Sequence, residues 1–412
     1  MVKSKKSDEI VVLGGGLAGM TMACVLGDYG FDVVCIDREK PIVQSTENYD
    51  GRTTAISAGS KRVLEAITLW DEIDKHACPI EQIRVADGQS SQFLHFDSLD
   101  TGLGDFGWII ENFRLRNALF KKLKACKTVK HITGVAADSF KYTNQNTVNI
   151  KLSNGKSIET PLLIAADGVN SKTRKWLGIK VRKWSYKQTA IVCNVGHELN
   201  HNNIAVEHFM PAGPFAILPM TDLEDGTHRS SLVWTEHGGE AQSLAALAPK
   251  NFNAMLQEKF GNQLGKVWAV TAPQTFDLSL CHAKSYTAKN VALIAEAAHR
   301  IHPIAGQGLN LSMRDIACLA EVLTEARNLG MDLGSLTTLN RYQKWRRGDN
   351  LSMAVMTDAL TRLFSNNYTP VRVVRDFGLG LINRVPPAKH FFEKQAMGLS
   401  GKLPKIIRTG NL

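Results

Sequence analysis

Short apolar runs, separated by glycine and charged residues, divide the start of the chain into a strand, a helix and a second strand. The β-prone run Ile10–Leu13 is followed by a glycine-rich turn and by helix formers up to Tyr29. Gly30 lies where a helix is expected to end, and Val33–Ile36 is a second run of strand length. The pattern therefore predicts a strand–helix–strand unit, followed by a loop and a helix near Lys61–Ile67.

Strand-like patterns dominate the middle of the chain, and helix-like patterns dominate its end. Residues 131–166 alternate in polarity like a β-meander, with a hairpin turn at Ser153-Asn154-Gly155. Residues from about 186 to 276 predict an antiparallel layer that forms one wall of a cavity. The predicted strands include Ala190–Val195, Ile204–Phe209, Phe215–Leu218, Ser231–Thr235, Phe276–Cys281 and Val291–Ile294, and the predicted helices include Phe113–Leu123, Ala241–Phe260 and the run from Leu309.

The turn after the first strand has the spacing of a dinucleotide-binding fingerprint. Gly14, Gly16 and Gly19 give G-x-G-x-x-G, with Leu17 inside it. Asp37 ends the second strand, 37 − 14 = 23 positions after the first glycine, close to the ~20 expected of an acid that binds a ribose hydroxyl. A strand before the glycines, a helix after them and an acid at this distance favour dinucleotide binding.

The same region has a second interpretation as a targeting segment. Ile10–Gly27 is 18 residues without a charge and follows several lysines, which resembles a signal peptide or a membrane span. Five glycines within the stretch, Asp8 and Glu9 before it, and its direct continuation into a strand argue against that interpretation. We therefore expect no targeting segment and no spanning helix.

Two later strands also end in acidic turns. The apolar run from Leu162 ends in Asp167-Gly168, followed by Ser171 and Arg174 at helical spacing; taken alone, this favours a β-turn with an Asx-type cap. Val291–Ile294 runs into Glu296, whose carboxylate can accept hydrogen bonds from sugar hydroxyls. The turn that follows contains one proline and two glycines, and it suits a phosphate-bearing cofactor: Pro303, Gly306 and Gly308.

In this order and separation, the three segments resemble the flavin-dependent aromatic hydroxylases, and among them the ubiquinone-biosynthesis monooxygenases. The segments 50–57, 302–311 and 396–404 carry the closer likeness: Asp50-Gly51-Arg52-Thr53-Thr54-Ala55-Ile56-Ser57, His302-Pro303-Ile304-Ala305-Gly306-Gln307-Gly308-Leu309-Asn310-Leu311 and Ala396-Met397-Gly398-Leu399-Ser400-Gly401-Lys402-Leu403-Pro404. The resemblance extends from about residue 8 to about 406. The family usually has Gly-Asp where this chain has Ala295-Glu296.

The resemblance implies an α/β fold. A Rossmann-like FAD-binding domain (1–75, 112–185 and 277–340) would be interrupted by an α+β substrate layer, an antiparallel β-sheet domain formed by 76–111 and 186–276. A helical, basic C-terminal region would follow at 341–412.

Each motif position acquires an expected role toward FAD. The glycines of the fingerprint would let the diphosphate approach the N-terminus of the first helix. The remaining expected contacts are Asp37 with the adenosine ribose, Arg38 near the adenine, and Arg52 and Arg116 with FAD. Asp167 is expected in the pyrophosphate region, with contact to a reductant as a second option, and Glu296 is expected to bind either the ribityl chain or a water that bridges to the diphosphate. At the polar edge of the isoalloxazine we expect Pro303, Gly306, Gln307, Gly308, Leu309 and Asn310. For Arg116, ordinary surface ion pairing is an equal alternative.

No catalytic side chain is assigned, because a bound flavin would supply the chemistry. His299 and His302 are three positions apart, but no further metal ligands accompany them in sequence. We therefore expect no metal site and favour a structural or FAD-contact role for both histidines. A second glycine fingerprint for a nicotinamide is missing from the sequence, so the reductant is either transiently bound NAD(P)H or an electron-transfer protein.

Composition adds constraints on size, redox state and charge. A chain of 412 residues is expected to form two structural units. Its seven cysteines are scattered without a C-x-x-C pair, which indicates reduced thiols. The region 341–412 has 13 basic and 4 acidic residues, so it carries 13 − 4 = +9 of the net +10. It suits either an anionic membrane surface or a solvated helical face covering the FAD domain.

The leading hypothesis, which rests on the resemblance, is an FAD monooxygenase that uses O2 to hydroxylate a polyprenyl phenol on the ubiquinone pathway. It would be cytoplasmic and peripheral to the inner membrane, in contact with other ubiquinone-biosynthesis proteins and not with nucleic acid. Two alternatives stay open. One is a hydroxylase of a small soluble aromatic acid, and the other is a flavin-binding scaffold subunit.

Overall fold

The computed structural model describes residues 9–40, 51–88, 93–364 and 385–412, and all structural statements refer to these ranges. The strands there are β1 (Ile10–Leu13), β2 (Val33–Asp37), β3 (Thr53–Ser57), β4 (Cys78–Ile80), β5 (Gln82–Asp87), β6 (Phe93–Asp97), β7 (Gly107–Glu111), β8 (Val129–Thr133), β9 (Ala137–Tyr142), β10 (Val148–Leu152), β11 (Ser157–Thr160), β12 (Leu163–Ala165), β13 (Val181–His197), β14 (Ile204–Met210), β15 (Gly213–Met220), β16 (His228–His237), β17 (Val267–Ala269), β18 (Gln274–Ala283), β19 (Thr287–Ala288), β20 (Val291–Leu293) and β21 (His299–Arg300). The helices are α1 (Leu17–Asp28), α2 (Ala58–Ala66), α3 (Trp70–Ile73), α4 (Ser98–Thr101), α5 (Asn112–Ala125), α6 (Lys172–Trp176), α7 (Gly238–Ala245), α8 (Pro249–Phe260), α9 (Gln307–Asn328), α10 (Leu336–Phe364), α11 (Pro386–Ala396) and α12 (Lys405–Thr409).

A largely parallel sheet brings the glycine-rich turn and the two acidic turns together. Its order is β19-β20-β12-β1-β2-β8, and only β19 is antiparallel to its neighbour. The three motif strands β20, β12 and β1 are therefore adjacent, and their carboxyl ends meet at one edge, where ligands bind in such sheets. Backbone bonds continue past the strand ends, from Ala166 N to the Leu13 oxygen (2.8 Å) and from Ile294 N to the Ala165 oxygen (3.0 Å).

A larger mixed sheet forms the second layer. Its order is β21-β18-β13-β16-β15-β14-β5-β6, with β17 paired to β13, and all pairs are antiparallel except β14 with β5. One face packs on α7 and α8 through buried side chains such as Ile191, Phe215 and Trp234. Because alternate strand residues point to opposite faces, Val192, Ala216 and their neighbours face the other way, into a cavity.

Two small sheets complete the strands. The predicted meander over 131–166 is confirmed for residues 137–160, which form the antiparallel sheet β11-β10-β9 with the turn at Ser153-Asn154-Gly155 between β10 and β11. Its two ends are wrong, because β8 and β12 belong to the parallel sheet. The other small sheet, β3-β7-β4, pairs residues 53–57 with 107–111. The large sheet extends beyond the predicted range 186–276, because β13 begins at Val181 and β18 ends at Ala283. The division of the chain into domains by residue number stays a prediction.

The predicted single helix Ala241–Phe260 is wrong. Two helices, α7 and α8, occupy this stretch, and Ala248 between them is extended, with φ −57° and ψ 146°. Pro249 is the cause, because the residue before a proline is driven out of the helical region and proline itself suits the first turn of a new helix.

The end of the chain, α12, packs on α2 and α9. Ile406 and Ile407 are buried, and the Arg62 Nη1 donates to the Ile407 oxygen at 2.6 Å. Apolar residues are interleaved with the basic charges of 341–412. Of these, Met397 is buried, Phe391 is exposed and Phe392 lines a cavity, whereas the others lie outside the described residues: Val371, Val373, Val374, Phe377, Leu379, Leu381 and Ile382. Within the described ranges, every helix is too short or too polar to cross a membrane.

Candidate functional site

A cavity of about 1020 Å³ lies between the turn edge of the parallel sheet and the open face of the large sheet. Most residues that the sequence selected line it. They are Gly16, Leu17, Gly19, Arg52, Arg116, Glu296, Pro303, Gly306, Gln307, Gly308, Leu309 and Asn310. Gly14, Asp37, Arg38 and Asp167 lie outside this lining.

Glycine is needed at the fingerprint positions for two different physical reasons. A Cβ on Gly19 would lie 1.8 Å from the Gly14 oxygen, and a Cβ on Gly14 would lie 2.3 Å from the Ala166 oxygen. These two glycines are required by contacts between main chains. A Cβ on Gly16 would meet no atom within 4 Å, so Gly16 faces open space at the N-terminus of α1, where a phosphate is favoured.

Asp37 lies behind the fingerprint turn. A Cβ on Gly15 would approach the Asp37 Oδ2 to 2.2 Å, so Gly15, which was not selected as a site residue, is needed for this carboxylate to fit. The Asp37 Oδ1 accepts a hydrogen bond from the Glu39 amide at 3.1 Å. Arg38 is largely exposed and its Nη2 lies 3.4 Å from Glu39.

The second motif is a cap that also supports the third. The Asp167 Oδ2 accepts hydrogen bonds from the amide and hydroxyl of Thr173, both at 3.0 Å, and Ser171 caps α6 through the Arg174 amide. The buried Arg174 guanidinium donates to the Val169 oxygen at 2.6 Å and to the Ala297 oxygen at 2.8 Å. Arg174 thus fastens the turn after β12 to the turn after β20.

The third motif contains an alanine in a conformation that favours glycine. Ala295 has φ +54°, in the left-handed region where a Cβ is strained. Its amide donates to the Asp315 Oδ2 at 3.3 Å, and Asp315 also binds the His299 ring and the Arg346 guanidinium. His299 and Arg346 hold the pKa of the Asp315 carboxyl well below its usual range. This buried anion keeps the strained turn in place.

The neighbouring Glu296 carboxylate faces the cavity. Its side chain is about half exposed, and the Oε1 lies 3.5 Å from the Arg300 Nε. The carboxylate that replaces the family's usual aspartate therefore stands at the turn edge, within reach of a cofactor bound there.

The proline–glycine turn is fixed to β3. Gly306 is left-handed, with φ +61°, and caps α9. The Asn310 amide donates to the Ala55 oxygen at 2.9 Å, and its Oδ1 accepts from the Ser57 amide at 2.9 Å. This side chain therefore holds the turn in place. A Cβ on Gly308 would meet no atom within 4 Å, so the turn has a second open position.

The C-terminal family segment packs beside this turn. The Gly59 amide donates to the Met397 oxygen at 2.9 Å, and the Gln307 Nε2 donates to the Ala396 oxygen at 3.4 Å. The Arg314 Nη2 donates to the Ser400 oxygen at 2.9 Å. These bonds explain why the segment from 396 to 404 belongs with the turn although it lies far away in sequence.

The two histidines after β20 are both buried. His302 packs edge-on against the Tyr186 ring, with centroids 4.9 Å apart, and burial lowers the pKa of His302 to about 4. In the described ranges, no group of three or more His, Cys, Asp or Glu side chains is arranged to hold a metal.

The open face of the large sheet supplies the opposite wall. Cross-strand neighbours form three rows that line the cavity. One row contains Phe96, Ile83, Ala205 and Leu218; the next contains Leu94, Val85, Glu207, Ala216, Val233 and Val192; the third contains Phe209, Pro214, Ala190 and Phe276. All of these lining side chains are apolar except Glu207, whose pKa burial raises to about 7.

Sequence reasoning missed Glu207, although a signal was present. In the predicted strand Ile204–Phe209, alternation puts Ala205, Glu207 and Phe209 on one face. Ile204 and Val206 make the opposite face apolar too, so the pattern predicts a strand that is covered on both faces. A carboxyl within such a strand departs from the pattern, and it marks a candidate site residue.

The lining fits FAD. Gly16 and Gly308 leave open positions on two of the turns, and Arg52 and Arg116 bring positive charge to the same wall. The Arg116 Nη2 lies 4.0 Å from Glu39, and its guanidinium is 5.7 Å from the Phe120 ring centroid. Such a wall offers glycine main chain and cations to a diphosphate, as that group requires.

The FAD binding domain family matches residues 7–347 of the chain. Ubiquinone hydroxylase UbiL of Rhodospirillum rubrum is 41% identical over 406 residues, covering 98% of this chain and 93% of the relative. The 3-demethoxyubiquinol 3-hydroxylase of Escherichia coli is 32% identical, covering 95% and 98%. Human ubiquinone biosynthesis monooxygenase COQ6 is 33% identical, covering 96% and 92%.

Solved structures share the fold. The p-nitrophenol 4-monooxygenase PnpA of Pseudomonas putida superposes with a TM-score of 0.79 at 17% identity, covering 97% of this chain and all of that one. A variant of HpxO from Klebsiella pneumoniae complexed with FAD gives a TM-score of 0.73 at 16% identity, covering 94% and 98%. At these identities the likeness extends to the fold alone.

Proposed function

The chain belongs to the FAD-dependent aromatic-ring monooxygenases of ubiquinone biosynthesis, and from that premise we propose that its substrate is a polyprenyl phenol bound against the large sheet. The observation that carries this proposal is the apolar wall of three cross-strand rows facing the cofactor turns. A prenyl chain gains about 25 cal/mol for each Å² of apolar surface that it buries, and this wall offers such surface.

The residues selected by sequence would hold FAD on the opposite wall. Gly16 and the N-terminus of α1 would take the diphosphate, and Asp37 the adenosine ribose, with Arg38 near the adenine. Arg52, Arg116 and Asp167 would complete the diphosphate side. Glu296 would take the ribityl chain, and the turn from Pro303 to Asn310 would face the polar edge of the ring. Bound FAD activates O2 once reduced.

The alternative substrate, a small aromatic acid, finds less support in the sheet. Such an acid needs a cation to pair with its carboxylate. The three cavity-facing rows contain one carboxyl and no cation. An anionic substrate would therefore find no cation to pair with on that wall, and it would be repelled by Glu207 whenever that carboxyl is ionised.

We propose peripheral contact with an anionic membrane on its cytoplasmic side, because a polyprenyl substrate resides in lipid. The positive charge of 341–412 supports this only in part, because several of its cations are engaged within the chain. Arg346 pairs with Asp315, Lys389 with Asp100, and Arg341 with Glu325. Contact with other ubiquinone-biosynthesis proteins, and NAD(P)H or an electron-transfer protein as the reductant, belong to the same proposal.

The membrane proposal is tested with the full chain, because Met353 and Phe392 of the C-terminal region line the cavity and truncation would open it. Sedimentation with vesicles of phosphatidylcholine alone is compared with vesicles that also contain phosphatidylglycerol. Binding only to the anionic vesicles, weakened by salt, is expected. Equal recovery in the supernatant with both vesicles would contradict membrane contact.

The function is tested with purified, FAD-loaded protein, a chemical or enzymatic reductant, O2 and a short-chain prenyl phenol. We expect a product heavier by one oxygen, detected by mass spectrometry, and little turnover of hydroxybenzoate. Preferential turnover of the soluble acid would favour the alternative substrate. A protein that binds FAD but hydroxylates neither compound would favour the scaffold subunit.

A further inference from the structure

Glu207 stands alone in the apolar wall. On β14 it is paired in register with Ala216 of β15 and Val85 of β5. The row continues through Val233 to one side and Leu94 to the other, and every member lines the cavity. The carboxyl therefore has aliphatic cross-strand neighbours and lines the cavity, where its residue is partly exposed.

The carboxyl of Glu207 has no partner among the described residues: none donates a hydrogen bond to it or forms an ion pair with it. Burial is the sole cause of its raised pKa, with no contribution from a neighbouring charge. Leaving a carboxylate unpaired in apolar surroundings is costly. A polar group that enters the cavity and donates a hydrogen bond would relieve that cost.

We propose that the Glu207 carboxylate binds the ring hydroxyl of the phenol substrate and takes its proton during the reaction. The inference rests on the proposed function and assigns a catalytic residue to it. The phenol is the one polar part of a prenyl phenol that can donate a hydrogen bond. Pairing it with the single carboxyl of the wall places the ring at Glu207 and leaves the prenyl chain to the aliphatic rows.

The proton transfer is balanced. The phenolic O–H bond breaks, a Glu207 O–H bond forms, and the electron pair stays on the phenolic oxygen. The resulting phenolate donates electron density to its ortho and para carbons, which makes those carbons better nucleophiles toward activated oxygen. After oxygen transfer, the protonated Glu207 returns its proton to the ring oxygen or to water.

Other titratable groups belong to the same cavity and must be separated from Glu207 in any pH profile. His208, next on β14, points to the opposite face. From α10, the lining residues are apolar or hydroxylic, such as Met356, Thr357 and Leu360. The remaining charged or titratable side chains of the lining are Arg52, Arg116, Glu296, His299, Arg300 and Glu393.

The test compares Glu207→Gln and Glu207→Leu with the wild type and with Glu258→Gln, an exposed control on α8. Glutamine has nearly the same shape and keeps a hydrogen-bond acceptor but cannot take a proton. General-base assistance contributes on the order of 10²–10⁴-fold. We expect kcat to fall at least tenfold in Glu207→Gln with a small change in KM, and KM to rise as well in Glu207→Leu.

The pH profile separates this role from a structural one. Wild-type kcat is expected to rise through about pH 7, as the Glu207 carboxyl ionises, and the Glu207→Gln profile is expected to lose that rise. The same rise in both proteins, or unchanged kcat in Glu207→Gln with retained FAD, would overturn the proposal. Binding of the O-methyl ether of the substrate gives a second readout, since it should bind the wild type more weakly than the phenol does, and the Leu variant should not distinguish the two.

The wild type serves as the control for the proposed function itself. If wild-type protein hydroxylates the prenyl phenol but Glu207→Gln does so equally well, only the role of Glu207 fails. If wild-type protein carries FAD and does not hydroxylate the phenol, the proposed substrate fails. Glu258→Gln is expected to match the wild type throughout.

Discussion

The two walls of the cavity are built from different parts of the chain. One wall consists of the turns after β1, β12 and β20, and we call it the cofactor wall because FAD is proposed to bind there. Its main-chain atoms approach each other so closely that Gly14 and Gly19 have no room for a Cβ, and buried groups such as Arg174 and Asp315 fix one turn to the next. On the sheet wall, side chains form the surface, and the strands β14, β15 and β16 are paired in continuous register.

The difference predicts how each wall responds to substitution. A wall formed by main chains in contact has no free space, so the addition of one carbon must move the backbone. A wall of side chains that border an existing cavity can change volume without forcing the strands apart. We therefore expect mutations of the cofactor wall to affect folding first and mutations of the sheet wall to affect the substrate first.

The largest effect is expected for Gly19→Ala. Its Cβ would lie 1.8 Å from the Gly14 oxygen, so the turn or the start of α1 must shift, at a cost of about 3 kcal/mol or more in the free energy of unfolding. Chemical denaturation of the purified protein measures it. Stability equal to that of the wild type would show that the turn can accommodate a methyl group, and it would contradict the proposed difference between the two walls.

Gly16→Ala is the matched control within the same turn. Because its Cβ would meet no protein atom within 4 Å, the variant should fold with nearly wild-type stability in the absence of FAD. The added methyl group would occupy the space proposed for the diphosphate, so we expect the FAD dissociation constant to rise at least tenfold, a change of about 1.4 kcal/mol. Unchanged FAD affinity would place the diphosphate elsewhere.

An intermediate effect is expected from Glu207→Gln on stability. The folded pKa of Glu207 is raised from 4.5 to about 7, so the folded state retains a proton that the unfolded state loses between these values, and wild-type stability falls as pH rises through that window. The Glu207→Gln variant does not lose stability in this way, because an amide does not ionise. The difference in free energy of unfolding, variant minus wild type, should therefore be about 2 kcal/mol larger at pH 8 than at pH 4. This value allows for water in the cavity, which weakens the effect of burial.

Melting temperatures of both proteins, measured across that pH range, give the difference directly, because other titrating groups cancel. A constant difference from pH 4 to pH 8 would mean that the carboxyl has its ordinary pKa. The sheet wall would then hold water or a partner at Glu207, and its contrast with the cofactor wall would weaken.

The smallest effect is expected for Ala295→Gly. Ala295 has φ +54°, and relief of this strain, about 1–2 kcal/mol, exceeds the 0.5–1 kcal/mol that glycine costs by its freedom in the unfolded chain. We expect a gain of up to about 1 kcal/mol in thermal or chemical unfolding. A clear loss would show that the alanine methyl group makes contacts that outweigh the strain.

The sequence could predict the cofactor wall because main-chain contacts demand particular residues at fixed spacing. Gly14, Gly16 and Gly19 form a local pattern, and the family resemblance assigns Glu296 to the same cofactor. The strand order β20-β12-β1, which brings the turns together, is visible only in the folded sheet. The sheet wall could not be predicted in the same way. Its rows join residues far apart in sequence, such as Val85, Glu207 and Val233, whose neighbours depend on strand order and register.

Some side chains of the cofactor wall have structural roles that could not be predicted from the local sequence. Asn310 is part of a recognisable motif, yet its side chain binds Ala55 and Ser57 of β3, a strand about 250 residues away. Asp167 does not form the local Asx-type cap that its sequence favours, since its carboxylate binds Thr173, six positions on. Arg174 adds a link to Ala297 that only the folded sheet brings into reach.

The most direct test of the two-walled cavity is a titration of the purified protein with FAD, followed by a short-chain prenyl phenol, monitored by visible absorbance. We predict one FAD bound per chain and a shift of the flavin bands when the phenol is added, because the two ligands would share one cavity. Failure to take up FAD, or saturable phenol binding that leaves the flavin spectrum unchanged, would contradict the account.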